Sequence, residues 1–196
     1  MKSKSFATLA AWSAFLAGVS GLLYAIAFIV LQNATLSGLF LLLGGFGSLV
    51  AWLGLYQWVR DLEPPYALLA FLLSAGAAAG SLLHGGYDLA NGLHPPANLN
   101  TDLPSQVDPR GLLTFGVASV GLFFFAWLAA QQKGFPRGLV YLGYASAVLM
   151  AVLYLGRLII LQAASPAIVV PALLEGFLLN PIWFIWLGLT FLKVGR

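Results

Sequence analysis

The chain has 196 residues, of which 61% are hydrophobic and 8% are charged, and its formal net charge is +3. An ordinary soluble domain carries about a quarter charged residues, so this composition and a mean hydropathy of +0.93 predict an integral membrane protein. The sequence has no cysteine, which excludes disulfides, thiolate catalysis and cysteine-based metal sites. The basic residues lie at the ends of apolar segments, where they orient a membrane protein, so we expect no nucleic-acid partner.

Six apolar segments are each long enough to cross a bilayer, which takes about 18 or more residues. Helix-breaking residues separate them, among them Gln32-Asn33, Pro64-Pro65 and Ser165-Pro166. We therefore predict an all-α membrane protein, with six transmembrane helices in a single domain over residues 1–196. The predicted helices cover residues 6–31, 35–59, 66–91, 111–132, 138–162 and 168–192.

The distribution of basic residues predicts the orientation. If the N-terminus is cytoplasmic, that side of the membrane holds Lys2, Lys4, Arg60, Lys133, Arg137, Lys193 and Arg196. The outer loops hold only Arg110. Because basic residues favour the cytoplasmic side, we predict three in-out-in hairpins with both termini in the cytoplasm. Loop 92–110 is then outside, and the compact loops favour a plasma membrane of the bacterial inner-membrane type.

Similar text near the ends of the second, fourth and sixth helices predicts an internal repeat. In each, a tryptophan precedes a basic residue by no more than eight positions; the tryptophans are Trp52, Trp127 and Trp186. Tryptophan followed by a base is typical of the inner membrane interface. Because the first and third hairpins would both begin inside, the repeat would be parallel. Chance sharing of Leu, Gly and Trp among apolar helices is the alternative explanation.

A polar stripe in the third helix is the best lead to function. Gly76, Gly80, His84 and Asp88 recur every four residues, so they lie along one side of the helix. Small residues four apart let a neighbouring helix approach closely. We therefore expect the stripe to face the interior of the bundle.

Other ionisable residues are predicted at a similar depth, near the outer surface. Counting about 1.5 Å per residue places His84, Arg157 and Glu175 at this level, and we expect Arg157 to pair with Asp88 or Glu175 because unpaired charges are costly in hydrocarbon. The arrangement predicts an outward-facing polar pocket with loop 92–110 as a lid. The alternative is a structural ion pair, or charges that reach the headgroups. Candidate ligand-binding residues are His84, Tyr87, Asp88, Asn91, Arg157, Glu175 and Asn180.

Three classes of function fit these features. Binding or transport of a small molecule or cation needs the fewest additions, since the charges of Asp88, Glu175 and Arg157 sum to one negative charge. The first alternative is an accessory subunit of a larger membrane complex that holds lipid or pigment, with residues 123–125, all phenylalanine, as a packing face. The second is a membrane-embedded acid–base enzyme that uses His84 and Asp88, one helical turn apart. With two histidines, no zinc site of about three ligands is predicted, and the sequence specifies no cofactor.

The layout of six helices with both ends inside and an outward site is similar to the substrate-binding subunits of energy-coupling-factor vitamin transporters. Small residues on the first helix, namely Ala7, Ala10, Ala11 and Ala14, would then supply a surface for docking on other subunits. This chain departs from that pattern in its very short first outer turn at Gln32-Asn33. The similarity therefore covers the layout only and assigns no residues.

Overall fold

The computed structural model describes residues 4–95, 111–160, 162 and 164–194. Within these ranges all regular structure is helical, and six helices are long and apolar enough to span a membrane, as predicted. Most of loop 92–110, including its predicted role as a lid, lies outside the described residues. The helices are α1 (Lys4–Val30), α2 (Ala34–Val59), α3 (Pro64–Leu93), α4 (Leu112–Gln131), α5 (Arg137–Ile160) and α6 (Pro166–Lys193).

The helix-breaking residues have clear local reasons for their positions. Gln32 has a φ of 49° and ends α1, and the side chain of Asn33 accepts a 2.9 Å hydrogen bond from the backbone N–H of Leu36, which caps α2. Pro64 and Pro65 open α3, where the missing N–H has no helical partner in any case. Short connections therefore follow directly from the sequence.

The helices pack in chain order around a ring. Each helix contacts the next one, from α1 to α6, and α6 also packs along α1. This arrangement leaves a space in the middle of the bundle to which every helix contributes side chains. The ring is what positions the candidate site.

Glycines set the closest approach between two helices, but not where the stripe on α3 predicts it. A Cβ on Gly85 would lie 2.5 Å from the backbone nitrogen of Leu42, so α2 and α3 touch through their backbones there. Gly80 contacts Leu113 of α4, whereas a Cβ on Gly76 would meet nothing within 4 Å. Residues four apart advance by about 40° around a helix, so the stripe turns away from the bundle at Gly76. The prediction that the whole stripe faces inward is therefore wrong at that end.

The small residues of α1 are packed inside the chain and do not form a docking surface. The four alanines named above are at most 1% exposed, and a Cβ on Gly54 of α2 would meet Ala10. A Cβ on Gly188 of α6 would meet the backbone oxygen of Ala11. Alanine and glycine here let α1 lie close to α2 and α6, so the docking expectation is wrong.

Two aromatic predictions also need correction. Trp52 is only 6% exposed and its ring stacks on Phe125 at a centroid distance of 5.4 Å, so its side chain packs inside the bundle and does not lie on its surface. Phe125 is fully buried, whereas Phe123 is half-exposed. Consecutive helical residues point about 100° apart, so the three phenylalanines do not form one outer face.

A central cavity built around Glu175

A cavity of about 150 Å³ lies within the ring and is lined by residues of all six helices. An apolar cavity of this size in another protein admits a benzene-sized molecule, so the space suits one small ligand. Of the seven predicted ligand-binding residues, Glu175 and Asn180 line it. The other polar lining side chains include Tyr24, Ser48, Ser81, Thr114 and Ser146.

Among the described residues, Glu175 is the one acidic residue in the cavity wall. It is 5% exposed, and its Oε1 accepts a 2.6 Å hydrogen bond from the hydroxyl of Ser146 on α5. Its Oε2 is buried and has no hydrogen-bond partner among the described residues. The carboxyl group is therefore hydrogen-bonded to Ser146 and not to Arg157, so the expected pairing of Arg157 with Glu175 is not formed.

The hydroxyl groups of Ser48, Ser81 and Thr114 in the cavity wall differ in their hydrogen bonding. Ser48 and Ser81 each donate to a carbonyl of their own helix, at 3.0 and 3.2 Å, as serines in membrane helices usually do. Thr114 Oγ1 is buried and makes no hydrogen bond within the described part of the chain. Two buried polar atoms of the wall, Thr114 Oγ1 and Glu175 Oε2, thus lack partners, whereas buried polar atoms are nearly always paired.

Both of these atoms belong to π-helical turns, which are often found at functional sites. Thr114 lies in the turn Leu112–Val117, and Glu175 opens the turn Glu175–Leu179. The second turn directly precedes Asn180-Pro181, where the missing N–H of proline removes one bond of the α-helical ladder. The helix is therefore irregular at this proline and takes the form of a wide turn.

The wide turn also explains why Glu175 and Asn180 share the cavity. Residues five apart in a regular α-helix differ by about 140° around the axis. In the π-helical register the N–H of Asn180 donates to the carbonyl of Glu175, five residues earlier, which brings the two residues towards the same face. Gly21 of α1 leaves room for the amide, since a Cβ there would lie 2.5 Å from Asn180 Oδ1.

Three large rings form part of the apolar lining, which we call the aromatic floor: Trp52, Trp183 and Phe184. Their centroids are 5.0 to 5.4 Å apart. The indole N–H of Trp183 donates to the carbonyl of Leu139 at 3.2 Å. That polar atom is already used, so Trp183 offers the cavity an apolar surface.

The remaining predicted residues on α3 lie outside the cavity wall. We call His84, Tyr87, Asp88 and Asn91 the α3 cluster. His84 Nε2 and Asp88 Oδ2 are 3.2 Å apart, with side chains 20% and 28% exposed, and Tyr87 is half-exposed. The structure therefore separates the single predicted pocket into a cavity with Glu175 and a cluster in which His84 contacts Asp88.

Tyr24 connects the cavity with the charged residues outside it. It lines the cavity, and both Asp88 and Arg157 interact electrostatically with it. Arg157 lies in the last turn of α5. Among the described residues, no three His, Cys, Asp or Glu side chains come together as a metal-binding group.

Sequence reasoning missed several cavity residues. Ser146 lies on one face of α5 with the small residues Gly143 and Ala147, so its spacing carries a usable signal. Thr114 gives no signal because serine and threonine usually bond to their own helix, and the sequence predicts Trp52 at the interface. Comparisons with protein-family models, with curated proteins and with solved structures find no match to this chain.

Proposed function

We propose that this chain is a single-domain integral membrane protein that binds a small molecule in its central cavity, or carries that molecule across the membrane. Six helices of membrane-spanning length and composition support the class. The observation that supports binding is the buried Glu175 carboxyl, whose Oε2 has no hydrogen-bond partner among the described residues. Ionisable residues inside membrane bundles are rare and typically mark a substrate or ion pathway.

The cavity is a better candidate than the α3 cluster, although the sequence favours the cluster. Asp88 already has a partner on its own helix, since His84 Nε2 lies 3.2 Å from Asp88 Oδ2, although His84 Nδ1 has no hydrogen-bond partner among the described residues. A ligand in the cavity would meet Glu175, Ser146 and Thr114 instead. For the same reason acid–base catalysis by His84 and Asp88 is not our preferred function.

Native mass spectrometry of the full chain in mild detergent tests this proposal. The wild type should retain a low-mass ligand, and Ala118→Phe, which fills the cavity from α4, should lose it. Val120→Phe is the matched control because Val120 is on the same helix but 46% exposed. Equal retention by Ala118→Phe and the control would contradict the cavity as the site. Stoichiometric larger chains in place of a ligand would favour an accessory subunit.

We further propose that the protein lies in a plasma membrane with both termini and the turns at Arg60 and Lys133 in the cytoplasm. The distribution of basic residues supports this orientation. Single cysteines at Asn100 and Gly134, in a chain that has no other cysteine, provide the test. An impermeant maleimide added outside intact cells should label only the cysteine at 100. Labelling at 134 would reverse the topology.

A further inference from the structure

We infer that the ligand of the central cavity is a small organic amine, bound as its ammonium ion with a flat apolar body. The inference rests on the proposed function and names the ligand class of the same site. It follows from the charge of the cavity wall, from the hydrogen-bonding groups of the lining residues and from the aromatic part of the lining.

The charge of the wall is unbalanced. Among the described residues that line the cavity, Glu175 is the one carboxylic acid, and there is no Lys, Arg or His. A buried carboxylate is costly unless a positive charge or several hydrogen bonds compensate it. Here one oxygen has one hydrogen bond, from Ser146, and the other has none within the described chain. A cationic ligand would supply the positive charge that the described wall lacks.

The unpartnered polar atoms in the wall can each accept a hydrogen bond. Ser146 donates its hydroxyl proton to Glu175 Oε1, so Glu175 acts as an acceptor. Glu175 Oε2 and Thr114 Oγ1 are unpartnered in the described structure, and Asn180 adds an amide oxygen. An ammonium group has three N–H donors and no acceptor, and its bond to a carboxylate is charge-assisted and therefore strong.

The apolar lining distinguishes an organic ammonium ion from a metal ion. Hard cations such as Ca²⁺ take about six to eight oxygen ligands, whereas this wall offers a single carboxylate. The three residues of the aromatic floor line the cavity, and aromatic rings attract both apolar groups and cations. A cavity of about 150 Å³ holds one ring of benzene size.

Benzylamine and benzyl alcohol are suitable probes because they share size and ring but differ in charge. Binding of each to the full chain in mild detergent would be measured by titration calorimetry. Benzylamine should bind the wild type with a Kd of about 1 mM or tighter, as expected for a ligand of this size. It should bind at least about tenfold more tightly than benzyl alcohol. This comparison uses only the wild type, so it does not depend on any variant folding.

Two matched variants locate the ammonium group. Glu175→Gln should weaken benzylamine binding by about tenfold or more, since the charge-assisted bond is lost. Asp88→Asn, the same chemical change in the α3 cluster, should leave the affinity for benzylamine within about twofold, a change smaller than any single hydrogen bond contributes.

Each other outcome overturns a defined part of the inference. Equal affinity of the wild type for the two probes would leave cavity binding intact but refute the amine class. Loss of benzylamine binding in Asp88→Asn but not in Glu175→Gln would move the ammonium group to the α3 cluster. If the wild type retains a ligand in native mass spectrometry but binds no benzylamine, the amine inference fails while the proposed function stands.

Discussion

Glu175 in the cavity and Asp88 in the α3 cluster are both carboxylates within membrane-spanning helices, but their surroundings differ. Asp88 has a histidine one turn away on the same helix, at 3.2 Å, and its side chain is 28% exposed. Glu175 is 5% exposed and has one neutral hydrogen-bond partner on another helix. The first carboxyl group has a histidine beside it on its own helix, whereas the second has a single hydrogen bond, from Ser146, and an oxygen without a partner among the described residues.

This difference separates two roles that a sequence cannot distinguish. Both residues are acidic and both are predicted near the outer surface. An acidic group with a hydrogen-bonding partner one turn away stabilises its own helix. A group that is buried without a counter-charge lowers stability and is retained at sites where function needs it. Four changes test the distinction, from the largest expected effect to the smallest.

Removing the charge should change stability in opposite directions at the two sites. Glu175→Gln should stabilise the ligand-free protein by about 1–3 kcal/mol, because the cost of burying a charge is removed while the amide oxygen can still accept from Ser146. Asp88→Asn should destabilise it, because the ion pair with His84 is lost. Thermal unfolding in the same detergent measures both. A lower melting temperature for Glu175→Gln, at full folding yield, would contradict the claim that the buried Glu175 lowers the stability of the ligand-free protein.

The space beside Asn180 should be sensitive to a single methyl group. Gly21→Ala places a Cβ 2.5 Å from Asn180 Oδ1, so it should destabilise the protein by about 1–3 kcal/mol, as overpacking does. Gly76→Ala is the control because a Cβ there would meet nothing within 4 Å. Alanine at that position should be neutral or stabilise α3 by up to about 1 kcal/mol. Equal melting temperatures for the two variants would show that Asn180 is free to move away.

The ion pair of the α3 cluster should be measurable as a coupling energy. A double-mutant cycle with His84→Gln and Asp88→Asn should give about 0.5–1.5 kcal/mol, the usual net value of a hydrogen bond that is partly open to solvent. Urea or thermal unfolding of the four proteins supplies the data. A coupling energy near zero would mean that the pair contributes nothing and that Asp88 serves another purpose.

The coupling energies of Arg157 with Glu175 and with Asp88 should show the smallest difference of the four tests. The Arg157→Leu cycle with Glu175→Gln should give a coupling below about 0.5 kcal/mol, since the two side chains share no hydrogen bond. The cycle with Asp88→Asn should give the larger value, because both Asp88 and Arg157 interact electrostatically with Tyr24. The reverse order would restore the pairing of Arg157 with Glu175.

The helices were predictable because hydrophobic length and breaking residues are local properties. The predicted segment 35–59 and the observed α2, Ala34–Val59, differ by a single residue, since Asn33 caps the helix and the apolar run is unbroken. At α6 the predicted start is 168 and the observed start is Pro166, because a proline in the first turn begins a helix without loss of a hydrogen bond. The parallel repeat and the hairpin topology stay predictions.

The site was predictable only in part, because it depends on which face of each helix looks inward. The chemistry of Glu175 and Asn180 indicates a site, but the wide turn that brings them to one face follows from packing and from Pro181 together. Stripes counted at four-residue intervals drift around the helix, so His84 and Asp88 lie beside the cavity and not in it. Trp52 shows the same limit, since an aromatic residue near a base suits both an interface and a core.

A structure of the protein with bound benzylamine is the most direct measurement of the central claim. We expect the benzyl ring against the aromatic floor and the nitrogen within about 3.2 Å of Glu175 Oε2, the range of an N–H···O hydrogen bond. A nitrogen next to Asp88, with the central cavity unchanged, would contradict the claim and give the α3 cluster the role that is proposed for Glu175.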